Sequence, residues 1–308
     1  MTGKISVIGA GNVGATCAQR LLERRLADIV MVDIVEGLPQ GKALDMSQSA
    51  PILGFDRRIT GTNSYQDTAD SDVVVITSGL TRKPGMSRDD LVKANMNIIN
   101  DVVRNVVSHS PDCVLVVVTN PVDAMTHLAV KTSGFPRSRV MGLSGVLDGA
   151  RLRSFIAAEL NVSVDNVSAC ILGQHGGSMV VIPRLCTVGG VPITTLLSKE
   201  TVDRLVERTV NGGAEIVGLL KTGSAFYAPS AAAAQMVEAV VLDKRQILPC
   251  AAYLTGEYGL KDTVLGVPAK IGRGGIMEIV ELDLYAGERH AVAGAAQVIQ
   301  ELVNVMNL

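Results

Sequence analysis

Strand-length apolar runs alternate with helical spacings through the first half of the chain. Residues 4–9 and 29–33 are short β-branched runs, and residues 72–78 and 113–119 are apolar without alternation, as in strands buried on both faces. Between them, residues 13–26 set Ala15, Ala18, Leu21 and Leu22 on one helical side, and residues 40–49 also carry a helical spacing. Strands alternating with helices predict a parallel, doubly wound α/β sheet. The second half is less regular. Residues 167–172 and 179–182 read as strands, residues 198–222 and 290–306 as long amphipathic helices, and Gly189-Gly190 and Gly274-Gly275 as tight turns. An α+β domain with mainly antiparallel strands is expected there. The pattern changes near residues 142–145, which predicts domains 1–143 and 144–308. No long linker separates the halves, so they are expected to share a cleft.

Composition narrows the possible functions. A chain of 308 residues, 47% of them hydrophobic, suits two well-buried domains. A formal net charge of -2 offers no field for nucleic acid or an anionic membrane, so any anion must be held by a few placed cations. The longest apolar runs are strand-length, and the first residues carry no secretory pattern. The five cysteines are scattered and form no CxxC pair. They read as small buried hydrophobes in a reducing compartment, not as disulfides or metal ligands, and a cytoplasmic protein is expected.

Gly9-Ala10-Gly11-Asn12-Val13-Gly14 follows the first strand and opens the first helix. Glycines here allow the tight turn, let a pyrophosphate approach the backbone, and pack helix on strand. The helix N-terminus adds free N–H groups and a positive dipole end. Alone, the spacing also fits a glycine-rich turn with no ligand. Asp33, about 20 residues past the last glycine, ends the second strand, where a carboxylate accepts from both ribose hydroxyls and repels a 2′-phosphate. The pair predicts a Rossmann-type domain that binds NAD rather than NADP.

Four further segments carry chemistry. Gly173-Gln174-His175-Gly176-Gly177 sets a histidine between glycines, between two strand candidates. Asp148 and Arg151 share one face if their segment is helical. Val118-Thr119-Asn120-Pro121 ends a buried strand. The segment Thr81-Arg82-Lys83-Pro84-Gly85-Met86-Ser87-Arg88 follows another, after Ser78-Gly79. Taken singly, Asp148 and Arg151 fit a surface ion pair, and Arg82 and Arg88 fit a solvated loop. His109, His127 and His290 lack flanking glycines and read as ordinary.

Together, in this order and spacing, these motifs resemble the lactate/malate dehydrogenase family over essentially the full length, in its branch of lactate-dehydrogenase-like malate dehydrogenases. The resemblance implies His175 as general acid/base and Asp148 as the partner of its other ring nitrogen. It implies Arg151 as a bidentate clamp on the C1 carboxylate, and Arg88 as the group that polarises the C2 carbonyl. Asn120 would bond the substrate oxygen and help seat the nicotinamide, while Asn95, Val118 and Thr119 would touch the cofactor. The Asn120–Pro121 bond is expected to be cis.

Within the family, Arg82 stands where lactate dehydrogenases typically carry glutamine. Its guanidinium would pair with the distal carboxylate of malate or oxaloacetate, and would be dehydrated without a partner over pyruvate. The expected reaction is therefore malate–oxaloacetate interconversion with NAD. A lactate or other 2-hydroxy acid dehydrogenase, or a non-catalytic NAD-binding protein, is the competing reading. Two departures stand out: Gly177 where this branch usually has aspartate, and Val181 where its Met-Val-Pro run would put proline. The segment 37–49 resembles the helix through which the family dimerises, and the branch favours a homotetramer.

Overall fold

The computed structural model describes residues 3–80 and 88–306. In chain order the first half forms β1 (Lys4–Ile8), α1 (Asn12–Glu23), β2 (Asp28–Val32), α2 (Leu38–Leu53), β3 (Ile59–Thr62), β4 (Val73–Ile76), α3 (Arg88–His109), β5 (Val114–Val117), α4 (Val122–Ser133) and β6 (Val140–Gly142). The second half forms α5 (Gly145–Leu160), β7 (Val167–Ser168), β8 (Ile171–Gly173), β9 (Met179–Val181), β10 (Thr187–Val188), β11 (Val191–Pro192), α6 (Ile193–Leu196), α7 (Lys199–Leu220), α8 (Tyr227–Val241), β12 (Gln246–Thr255), β13 (Lys261–Gly272), β14 (Gly275–Ile279) and α9 (Ala286–Val305).

The first six strands pair in parallel in the order β3-β2-β1-β4-β5-β6, the doubly wound sheet expected. Every residue of β4 and β5 is buried, because helices cover both faces. Residues of α3, α4 and α9 pack one side of the sheet, and those of α1 and α8 the other.

The antiparallel part of the second half joins this same sheet. Ala251 of β12 pairs with Gly142 of β6, and β12, β13, β8 and β9 continue the order, with β14 on β13. The long β12–β13 ladder has no counterpart among the elements expected from spacing. Pro249 and Pro268 interrupt both segments as readable strands. They sit directly opposite one another, the non-hydrogen-bonded kind of pair, where neither N–H would point at the other strand.

A second difference concerns residues 167–172, expected as one strand. Val167–Ser168 pair with β10 in a small sheet, while Ile171–Gly173 enter the main one. The chain changes sheets at Ala169-Cys170, where the Cys170 N–H meets Cys186 Sγ at 3.3 Å. Hydrophobic periodicity cannot register such a crossing, because apolar residues face a core on both sides of it.

Candidate active site

The glycine-rich turn leaves β1 with Gly9 at φ +106°, a conformation open to glycine. A Cβ on Gly14 would stand 1.9 Å from the Gly9 carbonyl oxygen, so the third glycine is fixed by the packing of α1 on the turn. Gly11, the N-cap of α1, supplies no side-chain cap, and a Cβ there would meet nothing within 4 Å. The first N–H groups of α1, at the positive end of the helix, therefore receive no side-chain cap from Gly11. Asp33 closes the far side: its Oδ2 accepts from the Ala10 N–H at 2.7 Å and its Oδ1 from the Val35 N–H at 3.0 Å. Lys42 of α2 donates to the Ala10 carbonyl at 2.7 Å. An uncapped helix start, an open glycine and a carboxylate at the end of β2 fit a dinucleotide.

Beside this cradle, the turn after β5 is pinned to the turn after β4. Val118 N–H donates to the Ile76 carbonyl at 2.9 Å, and Thr119 Oγ1 donates to the Ser78 carbonyl at 2.7 Å. Asn120 is exposed at the end of β5, and the Asn120–Pro121 bond is cis, as expected. Asn95 joins these two turns. It is fully buried, its Oδ1 accepting from Leu80 N–H at 2.7 Å and its Nδ2 donating to the carbonyls of Leu80 and Asn120 at 3.1 and 2.7 Å. Asn95 thus holds the two turns together.

The histidine expected to act as acid and base arrives from the other half. β8 ends in Gly173, and His175 follows two residues later with 14% of its side chain exposed. Its Nδ1–H donates to Asp148 Oδ2 at 2.8 Å, which leaves Nε2 as the free acceptor. Asp148 and Arg151 are both on α5, and Arg151 Nη1 donates to Asp148 Oδ1 at 3.0 Å. The carboxylate, 1% exposed, therefore takes a donor on each oxygen. Arg151 Nε is buried with no partner among the described residues, and Gly212 of α7 makes room for the side chain: a Cβ there would lie 3.1 Å from Arg151 Cδ.

Spacing gave no hint of Asp123. It sits in the first turn of α4, 1% exposed, with Oδ2 accepting the His175 backbone N–H at 3.0 Å. Burial pulls the His175 imidazole down, but the charge and hydrogen bond of Asp148 and the charge of Asp123 outweigh it, and its pKa is raised. Burial pushes the Asp123 carboxyl up to about 6, against the opposing pull of His175. Arg82 lies outside the described residues. Arg88 opens α3, and its side chain lies outside them as well.

Similarity to known proteins agrees with this geometry. Residues 3–142 match the lactate/malate dehydrogenase NAD binding domain, and residues 145–307 match the alpha/beta C-terminal domain of the same family. A malate dehydrogenase of Dehalococcoides mccartyi is 58% identical over 305 residues, covering 99% of both chains. The structure of malate dehydrogenase from Salinibacter ruber superposes with a TM-score of 0.95 at 51% identity, over 99% of this chain and 97% of that one. A lactate dehydrogenase of Cryptosporidium parvum, solved with lactic acid and nicotinamide adenine dinucleotide, superposes at 0.96 with 38% identity, over 100% of this chain and 98% of that one. The chain belongs to the lactate/malate dehydrogenase family of NAD-dependent oxidoreductases.

Proposed function

We propose that this enzyme interconverts (S)-malate and oxaloacetate, with His175 as proton acceptor and donor. The observation that carries the reading is the His175–Asp148–Arg151 constellation, one buried carboxylate joining the acid/base histidine to a substrate-binding arginine. Gly9–Gly14 and Asp33 would hold NAD, which when bound would supply a hydride acceptor for C2. Asp148 keeps the proton on Nδ1, so Nε2 is free to take the malate hydroxyl proton, and it stabilises the imidazolium that results. In the reverse direction His175 returns that proton to the carbonyl oxygen. Arg151, whose Nε has no partner among the described residues, offers donors to the C1 carboxylate. Asn120, exposed beside Thr119, orients the substrate oxygen. Arg88 polarises the carbonyl as negative charge develops. Arg82 selects the four-carbon diacid by pairing with its distal carboxylate, a role supported by sequence resemblance and by the malate dehydrogenases among the relatives.

The two halves are proposed as an NAD-binding domain, 1–143, and a substrate domain, 144–308. Apolar side chains exposed on α2, Leu44, Ile52 and Leu53, with Leu219 and Leu220 on α7, support a homo-oligomer, for which we propose a tetramer. Sedimentation at micromolar concentration checks that state. Among the described residues no helix is long and apolar enough to cross a membrane. We assign the enzyme to the cytoplasm, where its five free cysteines stay reduced.

A panel of 2-oxo acids with NADH tests the substrate. Oxaloacetate is expected to turn over fastest, and Arg82→Gln is expected to lose at least about 10²-fold on it while gaining on pyruvate. Faster wild-type turnover of pyruvate refutes the malate reading. Near-full activity in His175→Ala refutes the acid/base assignment.

A further inference from the structure

We infer that Asp123 is a positioning residue for the acid/base step: it anchors the His175 backbone and places a second negative charge behind the imidazole. This rests on the reading of His175 as the acid/base group.

Three observations carry it. Asp123 Oδ2 accepts the His175 N–H at 3.0 Å, so the histidine is held from two elements, by its backbone from α4 and by its ring from α5. Asp123 Oδ1 is buried, with no hydrogen-bond partner among the described residues. An acid in the first turn of a helix ordinarily faces water and answers the helix dipole. This one is 1% exposed and turned inward, an arrangement that costs stability unless the charge does something. The charges that act on it are those of His175, on the loop after β8, and Asp148, on α5; Arg151 acts on the same imidazole with opposite sign.

The chemical consequence follows from charge. When His175 takes the hydroxyl proton, two carboxylates face one imidazolium. Asp148 fixes which nitrogen is free, while Asp123 stabilises the positive form without touching the ring. Burial, which pushes the Asp123 carboxyl up to about 6, makes this contribution pH-dependent, because protonation on the acid side removes it. The three groups then titrate as a set rather than as one histidine.

Asp123→Asn separates charge from anchoring, since a carboxamide oxygen still accepts the His175 N–H. The rate–pH profile of the intact enzyme is read in both directions. Without the charge, the acid limb of malate oxidation and the alkaline limb of oxaloacetate reduction both move to lower pH. Reduction at pH 8 then falls by roughly threefold to tenfold, with KM for oxaloacetate nearly unchanged. Asp123→Ala is expected to show the same displacement plus a loss of kcat at every pH, from the freed backbone. A purely structural Asp123 would lower rates uniformly without moving either limb. An Asp123→Asn profile superimposable on wild type overturns the proposal. If neither variant folds, the wild-type His175 amide resonance decides: a titration step distinct from that of its own ring supports the inference, and its absence overturns it. His175→Ala is run alongside. Turnover surviving there defeats the acid/base reading itself, whereas an inactive His175→Ala beside an unshifted Asp123→Asn defeats only the role of Asp123.

Discussion

Asp148→Asn tests the central geometry most directly. The carboxylate accepts from His175 Nδ1 at 2.8 Å and from Arg151 Nη1 at 3.0 Å, one donor on each oxygen. A carboxamide has one acceptor oxygen and one NH₂, so one of two conflicts is unavoidable. With its oxygen toward His175, the NH₂ faces the Arg151 guanidinium, donor against donor. With its oxygen toward Arg151, the NH₂ faces Nδ1, the ring proton moves to Nε2, and the nitrogen that should take the substrate proton is blocked. Either way the imidazolium loses its nearest countercharge. A charged hydrogen bond of this kind is worth about 1.5–3 kcal/mol, and the wrong tautomer adds to that. A barrier higher by about 3–5 kcal/mol corresponds to a fall in kcat of roughly 10²- to 10⁴-fold. The sign with pH is also fixed. The Asp148 charge and hydrogen bond lift the His175 pKa against burial, so without them the imidazole falls. Oxaloacetate reduction, which needs the imidazolium, should fail at lower pH than in wild type. Steady-state rates in both directions from pH 5 to 9 read both effects. A variant within about threefold of wild type throughout would show that Asp148 is an ordinary buried partner.

Three other outcomes follow from the packing and the titrations. Gly14→Ala puts a Cβ 1.9 Å from the Gly9 carbonyl, so α1 or the turn must shift; calorimetry should show at least about tenfold weaker NADH binding and denaturant melts a loss of about 1–3 kcal/mol. Gly177→Asp, which restores the carboxylate usual in the family, adds a Cβ that meets no described residue within 4 Å and should change stability by less than about 0.5 kcal/mol, with turnover retained. Asp123 has a pKa raised from 3.8 to about 6 in the fold, so its stabilising contribution is present below 3.8 and is lost as pH rises through about 6. The stability of Asp123→Asn relative to wild type should therefore improve by up to about 3 kcal/mol between pH 4 and pH 7, measured by urea denaturation, and a constant difference would refute the buried charge.

How much of this was legible in the sequence depends on whether the signal is local. The glycine fingerprint and Asp33 could be read because one turn and one strand end define the cradle, and each residue keeps its place in the structure. Asp148 and Arg151 are three apart and could be paired by helical spacing, but His175 lies 27 residues from Asp148, and only family resemblance joined it to that pair before the fold did. Asp123 was invisible for a physical reason. An acid one turn into a helix is what the dipole favours at any surface, and only tertiary packing turns this one inward. Asn95 was named for the cofactor by family resemblance alone, and the fold adds that its amide pairs with backbone groups of two turns. The β12–β13 ladder was hidden by prolines whose harmlessness depends on their facing each other, a property of the pair and not of either strand.

The architecture divides the work between parts of the chain that differ in how freely they can change. His175, Asp148, Arg151 and Asp123 are bound to α4, α5 and the end of β8. Those elements are tied into one continuous sheet through the β6–β12 pairing, so a shift in any of them disturbs the core. The proposed acid/base chemistry, common to all 2-hydroxy acids, is therefore the costly part to alter. That both malate and lactate dehydrogenases superpose on this chain almost equally well means the fold does not encode the acid. Substrate choice must rest on a few side chains that can change without repacking the sheet. A residue on the connection between β4 and α3, where Arg82 lies, meets that condition by position in the chain. Substitution there should alter which 2-oxo acid is reduced while leaving the pH dependence set by His175, Asp148 and Asp123 in place. Arg82→Gln profiles that moved along the pH axis would show instead that specificity and proton transfer are one device.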